Sequence, residues 1–280
     1  MNKTALEIDK EGIVKVKNFL NPTQVFDLKK IIIPLGVPKG NKNSFVATTP
    51  YKFFLKILKL NFKKIRHDFK ISRLKKNVMQ EIASEYFKRK AILKAADVYC
   101  SPVSNNPILP WHTDQSYSGR VDIKEDNYVH PDKFNLKFMI YLTDVGPQNG
   151  CTSYVPKSHK ITYLVRKGIY EKKLIYQPYW SLNQLIDFIK KKENYKYIKE
   201  RLEDQNLIDD LLNTCSHQKK IDQTNAKLKH SNFEFKDEME KKFDFSLNAG
   251  DSIIFNEGGI HRGSKNLSSN RIVIRFMYSI

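Results

Sequence analysis

The sequence predicts a mainly β fold with flanking helices: a double-sheet jelly roll padded by helices and interrupted by a helical insert. Three observations predict it. Short apolar runs of strand length occur before residue 160 and return after residue 240. Between them, from about Trp180 to Cys215, the apolar spacing becomes helical. Helical patterns also lead the chain, and loops containing Asn, Pro and Gly separate the strand-like runs.

The first elements lie in "DKEGIVKVKNFLNPTQVFDLKKIII". Val14 and Val16 alternate with Lys15 and Lys17, as a half-buried strand requires. Asn21 can cap a helix that opens on Pro22, and Val25, Leu28, Ile31 and Ile32 follow at helical spacing. A second helical region runs from about Pro50 to Lys90. Strand patterns follow in "AADVYCSPV", "NLKFMIYLTDV" and "TSYVP". Ser181 is a helix cap in the sequence, and Leu182, Leu185, Ile186, Ile189, Ile198, Leu202, Ile208 and Leu212 trace amphipathic helices. Residues 216–240 are polar and read as loop. The end returns to strands in "FDFSLN", "SIIFN" and "RIVIRFMYS", with a turn at "AGD". There is no internal repeat.

At 280 residues the chain reads as one domain, 1–280, with residues 160–240 as an insert. Its 40% hydrophobic and 12% aromatic content is that of a folded protein. No run approaches the roughly 20 apolar residues that span a bilayer. The opening MNKTALEIDK has no apolar stretch like a signal peptide. Cys100, Cys151 and Cys215 are odd in number and form no zinc pattern. A cytoplasmic protein with reduced thiols is the expectation. The net charge of +19 invites a nucleic-acid reading, but the excess lysine is spread along the chain. Only Lys56 to Lys76 concentrates it, either as a solvated helix face or as a patch for an anion.

The chemistry-bearing stretch is "PWHTDQSY". Side chains alternate along a strand, so His112 and Asp114 would face the same way. Two histidines and a carboxylate with open positions are the expected ligands of a non-haem Fe(II) oxygenase. The third ligand should come from a later strand or its end, and "AGDSIIFNEGGIHRGSKN" offers His261. His67 lies in the basic stretch, His130 in a polar loop, His159 in a turn after Pro156, and His217 and His230 in the polar insert. None is better placed.

At this point "PWHTDQSY", "LKFMIYLTDVGPQNGCTSYVPKSHK" and "NAGDSIIFNEGGIHRGSKNLSSNRIVIRFMY" resemble the phytanoyl-CoA dioxygenase family of Fe(II)/2-oxoglutarate oxygenases. The opening "DKEGIVKVKNFLNPTQV" is similar to that family's usual start. The resemblance implies a double-stranded β-helix (a jelly-roll or cupin-like core) with His112, Asp114 and His261 holding Fe(II). It implies that Arg271 binds the far carboxylate of 2-oxoglutarate, for which a planar fork is well suited. Arg275, on the same strand face, is the fallback for the co-substrate or a substrate contact. Lys137 opens the strand that borders the co-substrate in related enzymes, against a surface role. Trp111 and Tyr117 flank the ligands as packing residues.

The resemblance also implies the reaction class. With O2, 2-oxoglutarate yields succinate and CO2 while an unactivated carbon of a small, anionic metabolite is hydroxylated. Halogenating relatives replace the carboxylate ligand by a small residue, and this sequence keeps Asp114. Two rivals stand beside it: a cupin-type metal-binding isomerase or binding module, which needs no co-substrate arginine, and a nucleic-acid-directed oxygenase. The span from His112 to His261 is longer than usual in the family because of the insert. The insert is a candidate lid, with Lys190, Lys191 and Lys192 available to an anion if they face inward.

Overall fold

The structure, a computed structural model, describes residues 2–33, 74–114, 131–132, 134–175, 182–215 and 243–280. Helix α1, Lys3–Glu11, starts where the Asn2 side chain accepts the Thr4 N–H at 3.0 Å. It ends at Gly12, whose φ of 82° is the left-handed conformation that glycine adopts without penalty. Strand β1 (Ile13–Val16) leads into α2 (Pro22–Ile32). The α2 entry is a capping box: Asn21 accepts from the Gln24 N–H at 2.8 Å, and Gln24 accepts from the Asn21 N–H at 3.0 Å. Helix α3 (Lys76–Phe87) precedes β2 (Ile92–Ser101), β3 (Ser104–His112), β4 (Leu136–Tyr141) and β5 (Thr152–Tyr154). Helices α4 (Ser158–Tyr170), α5 (Leu182–Ile189), α6 (Lys192–Lys199) and α7 (residues 206–215) form the insert. Strands β6 (Ser252–Asn256), β7 (His261–Asn266) and β8 (Arg271–Ser279) complete the chain.

Two antiparallel sheets result, ordered β1-β6-β4-β8-β2 and β3-β7-β5, and they are not closed into a barrel. Strand alternation sorts the residues of the larger sheet. Val14, Phe138, Ile140, Ile254, Ile274 and Phe276 pack on one face against α1, α2 and α3. The other face carries Ile13, Tyr141, Ile253, Phe255 and Val273 into the space between the sheets. Lys137, Arg271 and Arg275 share that inner face by the same parity along β4 and β8.

The insert has its own apolar cluster, and that cluster reaches the jelly roll. Leu185, Ile186, Ile189, Ile198 and Ile208 pack together with Trp111 and Ile260, the neighbours of His112 and His261. Lys190, Lys191 and Lys192 are exposed rather than turned inward, because the apolar face of α5 and α6 is spent on this cluster. No helix among the described residues is long and apolar enough to cross a membrane.

Several sequence expectations need correction. His159 is not in a turn: it lies in α4, buried, and its Nε2–H donates to the Asp9 carbonyl in α1 at 3.1 Å. "FDFSLN" forms no full strand but isolated bridges, Ser153 with Asp244 and Val145 with Leu247. Helix α1 was not legible, and of strand β3 only the end at His112 was. Tyr117, His67, His130, His217, His230, the Ser181 cap, the 216–240 loop and most of the Lys56–Lys76 stretch lie outside the described residues.

The buried tie between α4 and α1 has a pH signature. Burial pushes the His159 imidazole down from 6.5 to about 4, so it is neutral in the folded state. As the pH falls from about 6.5 towards 4, the unfolded chain takes up a proton that the folded chain refuses. Stability is therefore lost on acidification across that window, by about 3 kcal/mol. Urea unfolding at about pH 7 and about pH 4.5 should show a shallower loss in His159→Gln than in the unaltered protein. Equal losses would mean that His159 does not carry this linkage.

Candidate metal centre

Two strand ends of the smaller sheet face each other at the site. His112 is the last residue of β3 and pairs in register with His261, the first residue of β7. Their rings lie 4.4 Å apart, and both residues are buried. Asp114 is not on the strand, as the alternation argument required, but in the turn just past its end. Its backbone N–H donates to the Glu257 carbonyl at 3.2 Å, which brings the carboxylate round to the imidazoles. His112 Nε2 lies 3.4 Å from Asp114 Oδ1, and His261 Nε2 lies 3.1 Å from Asp114 Oδ2. One donor atom from each of His112, Asp114 and His261 falls within 4.8 Å of the others.

The hydrogen bonds decide what this cluster can hold. His261 Nδ1 lies 2.8 Å from the Gly259 carbonyl, which only accepts, so Nδ1 carries the proton. In a neutral imidazole Nε2 is then a lone pair, and it faces a carboxylate oxygen at 3.1 Å. Burial holds the His261 imidazole below its ordinary pKa, against the opposing pull of Asp114. Two acceptors at that distance call for a cation between them. A metal-ligating histidine ordinarily donates its other N–H to a carbonyl in this way. Burial would raise the Asp114 carboxyl, but the Lys137 ammonium, with the two histidines beside it, holds it well below the usual carboxylate range. Two imidazoles and an ionised carboxylate suit iron.

Lys137 is not a surface lysine. Only 5% exposed, it forms an ion pair with Asp114 Oδ2 and has Glu257 Oε2 at 3.6 Å. Arg271, 4% exposed, stands at the start of β8 with its guanidinium 5.3 Å from the Tyr141 ring centre. Its Nε is buried without a hydrogen-bond partner. The stem is accommodated by Gly150, at φ 70°, where an added Cβ would come within 2.7 Å of Arg271 Cδ. Arg275, by contrast, is already engaged: it forms an ion pair with Asp97 of β2, its register partner. The orphaned guanidinium nitrogen of Arg271 fits a missing carboxylate; the pairing of Arg275 with Asp97 leaves it less to offer.

Sequence reasoning missed three residues here. Glu257 is a buried acid in the turn before β7, and only its place beside "GG" after an apolar strand hinted at it. Asp97 is the buried countercharge of Arg275. Tyr99, whose phenol is pushed up to about 12 by burial, lies under Arg275 with its ring centre 4.7 Å from the guanidinium and stays a protonated donor. Trp111 packs in the insert cluster, 4.9 Å from the Arg262 guanidinium.

The arrangement and the family comparison together define a 2-oxoglutarate-dependent non-haem iron enzyme. The family model of phytanoyl-CoA dioxygenase (PhyH) matches residues 8–196, and the chain belongs to that family. The match spans His112, Asp114 and Lys137 but ends before His261, which the fold brings beside His112 and Asp114, and before Arg271. Curated protein sequences give no match. Among solved structures, iron-bound HygX from Streptomyces hygroscopicus is similar at 13% identity and a TM-score of 0.50, over 100% of this chain and 86% of that one. EvdO2 from Micromonospora carbonacea var. aurantiaca, complexed with 2-oxoglutarate, shows 12% identity and a TM-score of 0.49, covering 100% and 91%. The epimerase SnoN, in complex with Fe3+, alpha ketoglutarate and nogalamycin RO, shows 12% and 0.48, covering 99% and 82%. At 13% identity the likeness to HygX speaks to the fold alone.

Proposed function

We propose that the protein is an Fe(II)- and 2-oxoglutarate-dependent dioxygenase that hydroxylates an unactivated carbon of a small, anionic metabolite. His112, Asp114 and His261 are the iron ligands in this reading, and Arg271 receives the far carboxylate of 2-oxoglutarate. The observation that carries it is the convergence of His112, Asp114 and His261, with His261 Nε2 3.1 Å from Asp114 Oδ2, together with a buried Arg271 Nε that has no hydrogen-bond partner. Bound iron with 2-oxoglutarate and O2 supplies the oxidising power, releasing succinate and CO2.

The chain's own groups bind and orient. Arg271 aims a fork at a terminal carboxylate, and a charge-assisted bidentate pair fixes direction as well as affinity. Trp111 and Ile260 back the two histidines with the apolar cluster of the insert, so helices α4 to α7 serve as a side wall that would keep water from the metal. The whole chain acts as one domain around this site. The anionic character of the substrate is supported by the net charge of +19, which concentrates anions near the surface.

The test is succinate release from the iron-loaded protein with 2-oxoglutarate across a panel of anionic and neutral small metabolites. Release that rises several-fold with one anionic compound, alongside a product heavier by one oxygen, is the expected result. Turnover of a substrate without consumption of 2-oxoglutarate would put the isomerase reading in its place.

A further inference from the structure

Glu257 is 2% exposed in the turn between β6 and β7, beside the metal cluster but not part of it. Its Oε1 accepts from the Asn135 backbone N–H at 2.8 Å and from Asn135 Nδ2 at 2.6 Å. Its own N–H donates to the Asn135 carbonyl at 3.2 Å, so the residue is pinned at both ends. The remaining oxygen, Oε2, lies 3.6 Å from Lys137 Nζ. Lys137, buried on β4, therefore sits between two carboxylates, and its shorter contact is with Asp114 Oδ2. That same oxygen is the one facing His261 Nε2.

A divalent cation placed among His112, Asp114 and His261 draws on the lone pairs that the ammonium now uses. Two cations on one carboxylate repel, and a buried ammonium stripped of its counter-ion is costly. We infer that Glu257 is the alternative seat of Lys137, a positioning residue that takes the ammonium when Asp114 is given to the metal. This rests on the metal reading proposed above. Lys137 keeps a carboxylate partner in both states: chiefly Asp114 when the metal is absent, and Glu257 when Asp114 is given to the metal. A one-residue change of partner, over a distance a lysine side chain covers by rotamer adjustment, is all the exchange requires.

The test reads metal affinity rather than turnover. Co(II) is titrated into the full-length protein and its variants without oxygen, followed by calorimetry and by visible absorption of the bound ion. Glu257→Gln keeps the acceptor for Asn135 but removes the charge that faces Lys137, and it should weaken Co(II) binding by about tenfold or more. Lys137→Met should bind at least as tightly as the unaltered protein, because no ammonium competes for Asp114. The double variant Lys137→Met/Glu257→Gln should recover about the unaltered affinity, since nothing is left to strand. Glu257→Asp, which draws the carboxylate back by one carbon, should fall between, and serves if Glu257→Gln unfolds. Unchanged affinity in the Glu257 variants overturns the inference, because the ammonium then does not depend on Glu257. A double variant as weak as Glu257→Gln overturns it as well, because the loss would then come from the turn and not from the ammonium. Absence of Co(II) binding in the unaltered protein removes the metal reading itself, and this inference with it.

Discussion

His261→Ala and His112→Ala are each expected to abolish 2-oxoglutarate consumption and to remove the bound iron, while the chain still unfolds cooperatively. Each supplies an imidazole nitrogen within 3.4 Å of an Asp114 oxygen. Losing a residue that merely supports a ligand typically costs 10–100-fold in metal affinity. Losing a ligand should exceed the upper end of that range. The cost to the fold is smaller and separable. In His261→Ala the Gly259 carbonyl loses its donor, and an unsatisfied buried acceptor costs about 1–3 kcal/mol. Iron stoichiometry by metal analysis, set beside urea unfolding of the same preparations, distinguishes the two effects. Full stoichiometry in both variants would remove the triad from consideration.

How legible this was depended on what each residue's neighbours do. β6 and β8 matched "SIIFN" and "RIVIRFMYS" residue for residue, because central strands buried on both faces are continuous apolar runs. β3 was hidden by Pro107 and Pro110, which argue against a strand; both are tolerated because β3 is an edge of its sheet. Helix α1 was hidden because Ala5 and Ile8 alone are buried in it, too few to show a period. At the site, His112 and Asp114 were found for a partly wrong reason. The pair converges through the Asp114 turn and its hydrogen bond to Glu257, not through strand alternation. Asp97 could not be found from single-residue reasoning, and Glu257 left only the hint of its place beside "GG". Each matters only through a lysine or arginine far along the chain, and that pairing is set by sheet register.

Arg271→Ala is expected to raise the 2-oxoglutarate requirement tenfold or more without removing iron, whereas Arg275→Ala should mainly destabilise the fold. The two arginines share a strand and a face, and their surroundings separate them. Arg271 has a buried Nε with no hydrogen-bond partner and no ion pair among the described residues, so its removal takes away the fork for an incoming carboxylate and, within the protein, its contact with the Tyr141 ring. A charge-assisted hydrogen bond is worth about 1.5–3 kcal/mol, which sets the tenfold floor. Arg275 is the countercharge of Asp97, whose side chain is 6% exposed. Removing one partner of a buried pair costs about 3–5 kcal/mol, and the 21% exposure of the Arg275 side chain puts this case near the lower end. Ligand-induced stabilisation supplies a readout independent of turnover. A ligand at a hundred times its Kd stabilises the fold by about 2.7 kcal/mol, so 2-oxoglutarate should raise the melting temperature of the iron-loaded protein without oxygen. That shift should vanish in Arg271→Ala at the same concentration. It should persist in Arg275→Ala from a lower starting temperature, because Arg275 spends its charge inside the protein. If the two results change places, the co-substrate carboxylate lies four residues further along β8, past Val273 on the same face, and Asp97 is exchanged for it on binding.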